Sequence, residues 1–308
     1  MQKECNPLDL EDYRYLINLD KRFEKKEVIL KNQKDKEILV DRLLDYLILE
    51  MDSKRTRNFA MDASHFPEKR EQLYKLLTLH PPYKFPKWFY QCMNQLLQTE
   101  LKERNMVEVT NLPLISQSIA GTKFSSASKC ALWKGDITNL RIDAIVNAAN
   151  RKILGCFHPF HKCIDNAIHT AAGPQLREDC SIIMNKQSCL EETGWAKITR
   201  AYNLPSKYIL HTVGPIIKRN QEFISVEKEN LLADCYFSCL SLASRMKNIR
   251  SIAFCSISTG VFGFPIKAAA SIATRTVNEW LENNPEAFDL IVFNVFSEND
   301  YEVFKSAL

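Results

Sequence analysis

Glycine is scarce in this chain and unevenly placed. The 308 residues include 8 glycines, and all of them lie between Gly121 and Gly263. The first 120 residues therefore lack the residue that adopts left-handed and tight-turn conformations most readily. We interpret this asymmetry as a division into two domains, which the chain length also favours because one domain usually has about 100–200 residues.

Long apolar runs and polybasic stretches are missing as well. No segment approaches the ~20 consecutive apolar residues of a membrane-spanning helix, and Met1 to Asp9 lacks the apolar centre of a signal peptide. The 41 basic and 37 acidic residues are interspersed, which argues against a nucleic-acid partner. We therefore expect a cytoplasmic protein that binds neither a membrane nor a nucleic acid.

Composition is otherwise that of a globular protein. Hydrophobic residues make up 45% of the chain and charged residues 25%, which excludes a disordered chain. The 10 cysteines are scattered along a chain without an export signal. We expect them to be reduced thiols or metal ligands rather than disulfides.

Apolar spacing changes along the chain. Between residues 10 and 105 apolar residues recur at helical spacing, and the pair Pro81-Pro82 separates helices. This pattern predicts an all-helical N-terminal domain over residues 1–115. The Ser-, Ala-, Gly- and Thr-containing stretch that follows buries little, so we predict a linker over residues 116–128.

Residues 129–308 have a different pattern, in which short β-branched runs alternate with amphipathic segments. This alternation predicts an α/β fold with helices on both faces of a sheet. The predicted strands are Cys130 to Trp133, Asp143 to Asn147, Tyr208 to Val213, Ser251 to Ser258 and Leu290 to Phe296. The predicted helices are His161 to Met184, Val226 to Met246 and Ile266 to Asn283.

Polar residues follow three of the predicted strands. Ligands of open α/β sheets bind outside the carboxyl ends of the strands, so these segments should converge. The first contains Asp136, whose carboxylate can accept a hydrogen bond from an exocyclic amine such as that of adenine. By itself this segment fits an Asx turn or a helix N-cap better.

The second and third segments suit a sugar and an anion. Asn147 to Asn150 combines small residues with Asn150, which offers a donor and an acceptor to sugar hydroxyls. Ser256 to Pro265 is a strand end with two glycines before a helix, so successive backbone N–H groups can face one anion. Turns with two glycines also connect strands to helices for steric reasons.

Together and in this order, the three segments resemble the macrodomain family, whose members bind ADP-ribose and in some branches hydrolyse it from proteins. His211 to Pro215 and Ile291 to Phe296 are also similar to the family. The resemblance covers residues 129–308 and implies a three-layer α/β/α sandwich with a mixed central sheet. The implied ADP-ribose contacts are Asp136 and Ile137 for adenine, Phe296 against its ring, Asn150 for the distal ribose, and Ser258, Thr259, Gly260, Val261 and Phe262 for the diphosphate.

Cysteine and histidine occupy a loop that is glycine-rich in many macrodomains. Cys156, His161 and Cys163 supply two thiolates and an imidazole, which suit Zn²⁺ and leave a fourth position for water or substrate. The loop is similar to that of the zinc-dependent macrodomains, which are microbial ADP-ribosyl hydrolases, and we expect one Zn²⁺ per chain. The spacing alone is equally compatible with side chains that pack without metal. Less favoured ligands are His158, His169, Cys180 and Cys189.

An acidic residue follows this loop. Asp165 stands where hydrolytic macrodomains often have a carboxylate, so we assign it, with Asn150, to catalysis, as the group that positions or deprotonates water. The alternative is a first-turn aspartate that favours the N-terminus of its helix. Trp195 is either at the rim of the pocket or in the core.

The resulting hypothesis is a zinc-dependent hydrolase that removes mono-ADP-ribose from modified proteins, with linkage to Asp or Glu implied by the resemblance. Zinc would activate a bound water or orient a ribose hydroxyl. The main alternative is a reader module that binds ADP-ribose without turnover, because one fold permits both. A nucleotide or RNA binder with structural zinc is a second alternative, which the absence of a basic patch disfavours.

Overall fold

The computed structural model describes residues 7–25, 30, 32–50, 65–218 and 223–308. Its strands, in chain order, are β1 (Val107–Glu108), β2 (Cys130–Lys134), β3 (Leu140–Arg141), β4 (Ala144–Ala148), β5 (Ala196–Arg200), β6 (Tyr208–Thr212), β7 (Ser251–Phe254) and β8 (Leu290–Val295). Among the described residues β1 pairs with β3 alone, and the other six strands form the central sheet in the order β2-β8-β7-β4-β6-β5. All neighbours in it are parallel except β5 and β6, so the sheet is mixed, as predicted.

Helices cover both faces of this sheet. In chain order the helices of the described residues are α1 (Leu10–Tyr13), α2 (Gln33–Glu50), α3 (Phe66–Leu79), α4 (Lys87–Lys102), α5 (Ile115–Ser118), α6 (Ile164–Ala172), α7 (Pro174–Gln187), α8 (Val226–Ser244), α9 (Ile266–Asn283) and α10 (Glu298–Ala307). α6 and α7 form one layer, and α8, α9 and α10 form the other. The predicted three-layer α/β/α sandwich is confirmed.

The central strands are buried on both sides. Every residue of β6 is buried, and Ala144, Ile145 and Val146 of β4 have no exposed surface. Strands that are covered by helices on both faces have near-continuous apolar sequences rather than alternating apolar and polar residues. This explains why the sequence shows these strands as apolar runs. Full burial of a larger aliphatic side chain, such as that of Ile145, stabilises the fold by about 1.5–3 kcal/mol.

The N-terminal helices form a second apolar cluster. α2, α3 and α4 contribute the side chains of this cluster, including Leu43, Leu73 and Phe89. The N-terminal region is therefore helical, as predicted, although residues 26–29, 31 and 51–64 of it lie outside the described residues.

Parts of the predicted N-terminal domain and linker contact the α/β domain. Leu10 and Tyr13 of α1 belong to the same apolar cluster as the sheet. In the stretch predicted as a linker, the Ser126 backbone N–H donates to Asn278 of α9 at 3.0 Å. The domain boundaries 1–115, 116–128 and 129–308 themselves stay predictions.

Several predicted elements are corrected. The single helix His161 to Met184 is wrong: α6 and α7 are separate, because Gly173 has a φ of +94° and Pro174 has no N–H to continue the ladder. The strand predicted over Ser251 to Ser258 ends at Phe254, where the glycine-containing loop begins. Sequence analysis missed α10 and β5, the latter because Lys197 interrupts its apolar pattern.

Two further expectations can be compared with the structure. Eight described cysteines have free thiols, but Cys189 is in a disulfide, so the prediction of reduced thiols is wrong for that residue. In the described ranges no helix combines the length and apolar character that crossing a membrane requires.

Candidate functional site

The predicted ligand-binding segments lie along one edge of the sheet. β2, β8, β7 and β4 are adjacent and parallel, so their carboxyl ends share this edge. Asp136, Phe296, residues 256–264 and Asn150 follow these strands in that spatial order. Strands lie about 4.8 Å apart, so the four positions extend over about 14 Å. The segments therefore lie side by side along this edge in the order that the resemblance implies for adenine, diphosphate and distal ribose, and we call this row of segments the predicted cleft.

At the β2 end of the cleft, Asp136 is already hydrogen-bonded. Its Oδ1 accepts from the backbone N–H of Thr138 at 2.9 Å and from the Thr138 hydroxyl at 2.7 Å. These bonds form the N-cap that sequence analysis gave as the simpler explanation of the segment. They use only Oδ1, and in the described part of the chain no hydrogen bond reaches Oδ2, so a carboxylate oxygen is available to a ligand.

Two apolar residues flank this carboxylate. Ile137 as a whole is only 1% exposed, so this predicted contact residue offers a ligand almost no surface. Phe296, in contrast, is 81% exposed directly after β8. The backbone N–H of Gly135 donates to the Val295 carbonyl at 3.0 Å, which places Phe296 next to Asp136. An exposed ring there can stack on a planar base.

Residues 256–264 form the next part of the cleft, which we call the diphosphate loop. Backbone bonds from Phe264 to the Ser258 carbonyl (2.9 Å) and from Gly263 to the Gly260 carbonyl (3.1 Å) close the turn. Among the described residues no acceptor is bonded to the N–H groups of Gly260, Val261 and Phe262. Three successive free N–H groups just before helix α9 form an anion-binding arrangement.

Close packing positions the start of this loop. Ser258 has a φ of +65°, and its hydroxyl oxygen would lie 1.9 Å from a Cβ at Gly214. Glycine at position 214 leaves space for this side chain in its observed rotamer. The His211 to Pro215 segment thus supports the diphosphate loop by steric fit.

The three predicted zinc ligands come together on residues 155–163, the cysteine-histidine loop. Sγ of Cys156 lies 3.6 Å from Nδ1 of His161, and all ligand atoms, including Sγ of Cys163, lie within 4.8 Å of one another. In a tetrahedral site with Zn–S about 2.3 Å and Zn–N about 2.05 Å, sulfur and nitrogen are separated by about 3.6 Å. The donor set therefore fits zinc.

Groups of helix α6 contact this loop. The amide of Asn166 donates to the carbonyls of His158 at 3.0 Å and His161 at 3.3 Å. Gly155 has a φ of +80°, and a Cβ there would lie 2.8 Å from the His169 ring, so the loop begins with a contact that requires glycine. Burial raises the pKa of the Cys163 thiol to about 12, and a bound cation would favour its thiolate.

A second group of soft donors lies in the core. His169, Cys180 and His211 are buried, and their ligand atoms lie within 4.8 Å of one another. Both nitrogens of His211 have partners, because Nε2 lies 2.9 Å from the Thr199 hydroxyl and Nδ1 lies 3.2 Å from the Asn147 amide. We therefore interpret His211 as part of the buried hydrogen-bond network, whereas neither ring nitrogen of His169 has a hydrogen-bond partner among the described residues.

Asp165 lies beneath the cleft rather than on its surface. It is buried, and its two oxygens accept from Asn147 Nδ2 at 2.8 Å and from Asn150 Nδ2 at 3.2 Å. Burial raises the pKa of Asp165 to about 6, although both amide bonds lower it. Sequence analysis missed Asn147; the signal was a polar residue at the end of an otherwise apolar buried strand.

The side chain of Asn150 has fewer free hydrogen-bonding positions than the sequence predicts. Besides Asp165, its Nδ2 donates to the Gly155 carbonyl at 3.1 Å, and its Oδ1 accepts from the Lys152 backbone at 2.9 Å. One Oδ1 lone pair remains for a sugar hydroxyl. Trp195, which sequence analysis left open, is 48% exposed and so is not a core residue.

An α/β/α sandwich with this cleft at the carboxyl edge of its sheet is typical of macrodomains, and comparisons with known proteins agree. The Macro domain model matches residues 146–273. A protein-ADP-ribose hydrolase of Treponema medium is 41% identical over 90% of this chain and 99% of its own length. One from Staphylococcus aureus (strain MRSA252) is 42% identical over 86% of this chain and 94% of its own length. The chain belongs to the Macro domain family.

A solved structure supports the same conclusion. The crystal structure of a Trypanosoma brucei macrodomain in complex with ADP-ribose superposes with a TM-score of 0.55. The two chains are 31% identical, and the match covers 75% of this chain and 94% of the other. The fold and the family are thus established independently of the ligand assignments.

Proposed function

We propose that this macrodomain is a hydrolase that removes single ADP-ribose units from modified proteins and holds one Zn²⁺ ion on Cys156, His161 and Cys163. Relatives that match almost their full length are protein-ADP-ribose hydrolases, which supports the activity. The observation that carries the zinc assignment is the 3.6 Å separation of Cys156 Sγ and His161 Nδ1, with Cys163 Sγ in the same group. A bound zinc ion supplies Lewis acidity, which polarises an oxygen atom beside it.

The residues of the chain bind and orient the substrate. Oδ2 of Asp136 accepts a hydrogen bond from the adenine amine, and the free N–H groups of the diphosphate loop bind the diphosphate. Oδ1 of Asn150 accepts from the distal ribose, while its amide is held by Asp165. Asn150 is also hydrogen-bonded to Gly155 at the start of the cysteine-histidine loop, so the distal ribose lies beside the zinc ligands.

Asp165 completes the site from below. A carboxylate has about four acceptor positions, so the bonds from Asn147 and Asn150 leave capacity for a water molecule. We assign Asp165 to positioning the attacking water and accepting its proton. The leaving group is the side chain of the modified protein, and we propose Asp and Glu as the acceptor residues.

The test measures release of ADP-ribose from proteins modified on Asp/Glu, Ser or Arg. We expect release from the Asp/Glu-linked protein, loss of release after chelation, and recovery on addition of zinc. Cys156→Ser should abolish release while ADP-ribose binding changes much less. Cys92→Ser is the matched control, because Cys92 is a free, partly exposed thiol on α4, remote in sequence from the loop.

Three results would contradict parts of this proposal. Full activity in metal-free protein would contradict the proposed role of zinc. Release of ADP-ribose from Ser- or Arg-linked protein, without release from Asp/Glu-linked protein, would contradict the assignment of Asp and Glu as acceptor residues. Binding without release from any of the three substrates would instead identify a reader module.

A further inference from the structure

One arginine outside the predicted site contacts the cysteine-histidine loop. Arg177 of α7 donates from Nε to the carbonyl of Leu154 at 2.8 Å, directly before the loop. Its guanidinium carbon lies 4.5 Å from the centre of the Phe157 ring, within the loop. A charge-assisted hydrogen bond and a cation–π contact therefore act on the same short segment.

The same guanidinium caps helix α3. Nη1 of Arg177 donates to three carbonyls at the C-terminal end of α3, where carbonyls have no partner within the helix and a cation is favoured by the helix dipole. The distances are 2.9 Å to Leu77, 3.2 Å to Thr78 and 2.9 Å to His80. Arg177 thus joins the end of an N-terminal helix to the cysteine-histidine loop.

Helix α3 also contacts the loop directly. The ring of Tyr74 lies 5.1 Å from that of Phe160, centre to centre. Phe160 has a φ of +61°, which is unfavourable for a residue with a side chain and requires support from its surroundings. This contact is adjacent to the zinc ligand His161, whereas the Arg177 contacts are adjacent to Cys156.

The geometry points to Arg177 and Tyr74 of helix α3 as positioning residues for the metal site, so contacts with an N-terminal helix form part of its support. This inference rests on the proposed function, because it assumes that the cysteine-histidine loop holds zinc. Cys156 and His161 lie on irregular backbone, so their donor atoms depend on outer contacts for their relative positions. The amides of Asn150, after β4, and of Asn166, on α6, support the loop, and Arg177 of α7 and Tyr74 of α3 support it further.

The experiment compares Arg177→Gln with Arg70→Gln. Arg70 is the matched control: it lies on α3 and pairs with Glu100 of α4, with Nε 2.6 Å from the carboxylate. Two rates are measured. Stopped-flow chelation gives the rate of zinc loss from the loaded protein, and peptide mass spectrometry gives the rate of Cys156 alkylation in the metal-free protein. Cys92 serves as the internal reference for alkylation.

Arg177→Gln should lose zinc about 10–100-fold faster, in the range of outer-contact effects on metal affinity. Alkylation of Cys156 should accelerate severalfold relative to Cys92, and Arg70→Gln should behave as the wild type in both measurements. At saturating zinc, Arg177→Gln should regain ADP-ribose release, whereas Cys156→Ser should not. A merely structural defect would not be rescued by metal.

Wild-type rates in Arg177→Gln would overturn the inference. If Arg177→Gln fails to fold, Tyr74→Leu decides, because it removes the ring contact with Phe160 and keeps Arg177; unchanged zinc loss and alkylation in that variant would then overturn the inference. If the wild-type protein binds no zinc, the proposed metal site fails. The alkylation comparison in metal-free protein still reports whether Arg177 and α3 order the loop.

Discussion

The amide of Asn150 donates to the Asp165 carboxylate at 3.2 Å, so the residue assigned to the ribose also holds the buried acid. A neighbouring amide, from Asn147, occupies the other carboxylate oxygen. Under the proposed function, binding and catalysis therefore share one hydrogen-bond network in this site. The network makes the two predicted catalytic residues interdependent.

Replacement of Asn150 by Ala should reduce turnover more than affinity. It removes one acceptor for ribose but also frees Asp165 and the Gly155 carbonyl, and hydrogen bonds to charged groups contribute about 1.5–3 kcal/mol. We expect release to fall about 10–100-fold in single-turnover assays, with a smaller change in ADP-ribose affinity by calorimetry. Asn185→Ala, at an exposed position on α7, is the control. Equal losses in both measurements would make Asn150 a binding residue only.

Gly260→Val should weaken ADP-ribose binding without unfolding the protein. No atom lies within 4 Å of a Cβ at this position, so the added side chain meets only open space beside the free N–H groups. Exposed substitutions usually change the free energy of unfolding by about 0.5 kcal/mol or less. We expect at least tenfold weaker binding by calorimetry and a smaller effect for Gly260→Ala. Unchanged affinity would place the diphosphate elsewhere.

Gly214→Ala should instead reduce both stability and affinity. Its Cβ would lie 1.9 Å from the Ser258 hydroxyl oxygen and would displace the start of the diphosphate loop. The double variant with Ser258→Gly should recover much of both properties, since glycine removes the clash and tolerates the φ of +65°. Thermal unfolding and calorimetry of the three variants test this, and failure of the double variant to recover would exclude the steric explanation.

Lys197→Met should destabilise the protein by about 3–5 kcal/mol, because it leaves a buried carboxylate without its cation. Lys197 and Glu191 are almost fully buried and lie 2.9 Å apart. The double variant Lys197→Met with Glu191→Leu should approach wild-type stability in urea unfolding. A single variant as stable as the wild type would show that the ion pair is dispensable.

Asp179 should make stability depend on pH. Burial raises its folded-state pKa from 3.8 to about 6, against hydrogen bonds from Tyr202 and Arg200 that lower it. The folded state therefore binds the proton more tightly, and this contribution is present below pH 4 and is lost as the pH rises towards 6. The stability advantage of the wild type over Asp179→Asn should fall by on the order of 3 kcal/mol across that window.

Asp289 provides a control because its contribution to stability should change with pH in the opposite direction. Its hydrogen bond with Arg250 lowers the pKa of this exposed carboxyl, so its contribution is present above the unfolded pKa and is lost as the pH falls. Urea unfolding of wild type, Asp179→Asn and Asp289→Asn between pH 3 and 7 tests both signs. A wild-type advantage over Asp179→Asn that stays constant or grows with pH would contradict the assignment.

Local sequence patterns predicted much of the macrodomain. Apolar runs located five strands of the central sheet because those strands are buried on both faces. β5 was missed because its buried Lys197 is compatible with a strand only through the pairing with Glu191, which no local pattern reports. The break between α6 and α7 was readable from Gly173 and Pro174, yet the amphipathic spacing obscured it.

Each residue type proposed for the chemistry of the site lies in its own short segment of sequence. These segments hold a carboxylate after β2, glycines after β7, and the thiols and imidazole within the eight residues from Cys156 to Cys163. Turn chemistry and donor identity are local properties, so the chain alone specifies them. Strand order, the buried position of Asp165 and the contact of Arg177 with α3 depend on packing between segments far apart in the chain, such as β2 and β8. Such contacts form only when the chain buries its apolar surface, so only the folded structure reveals them.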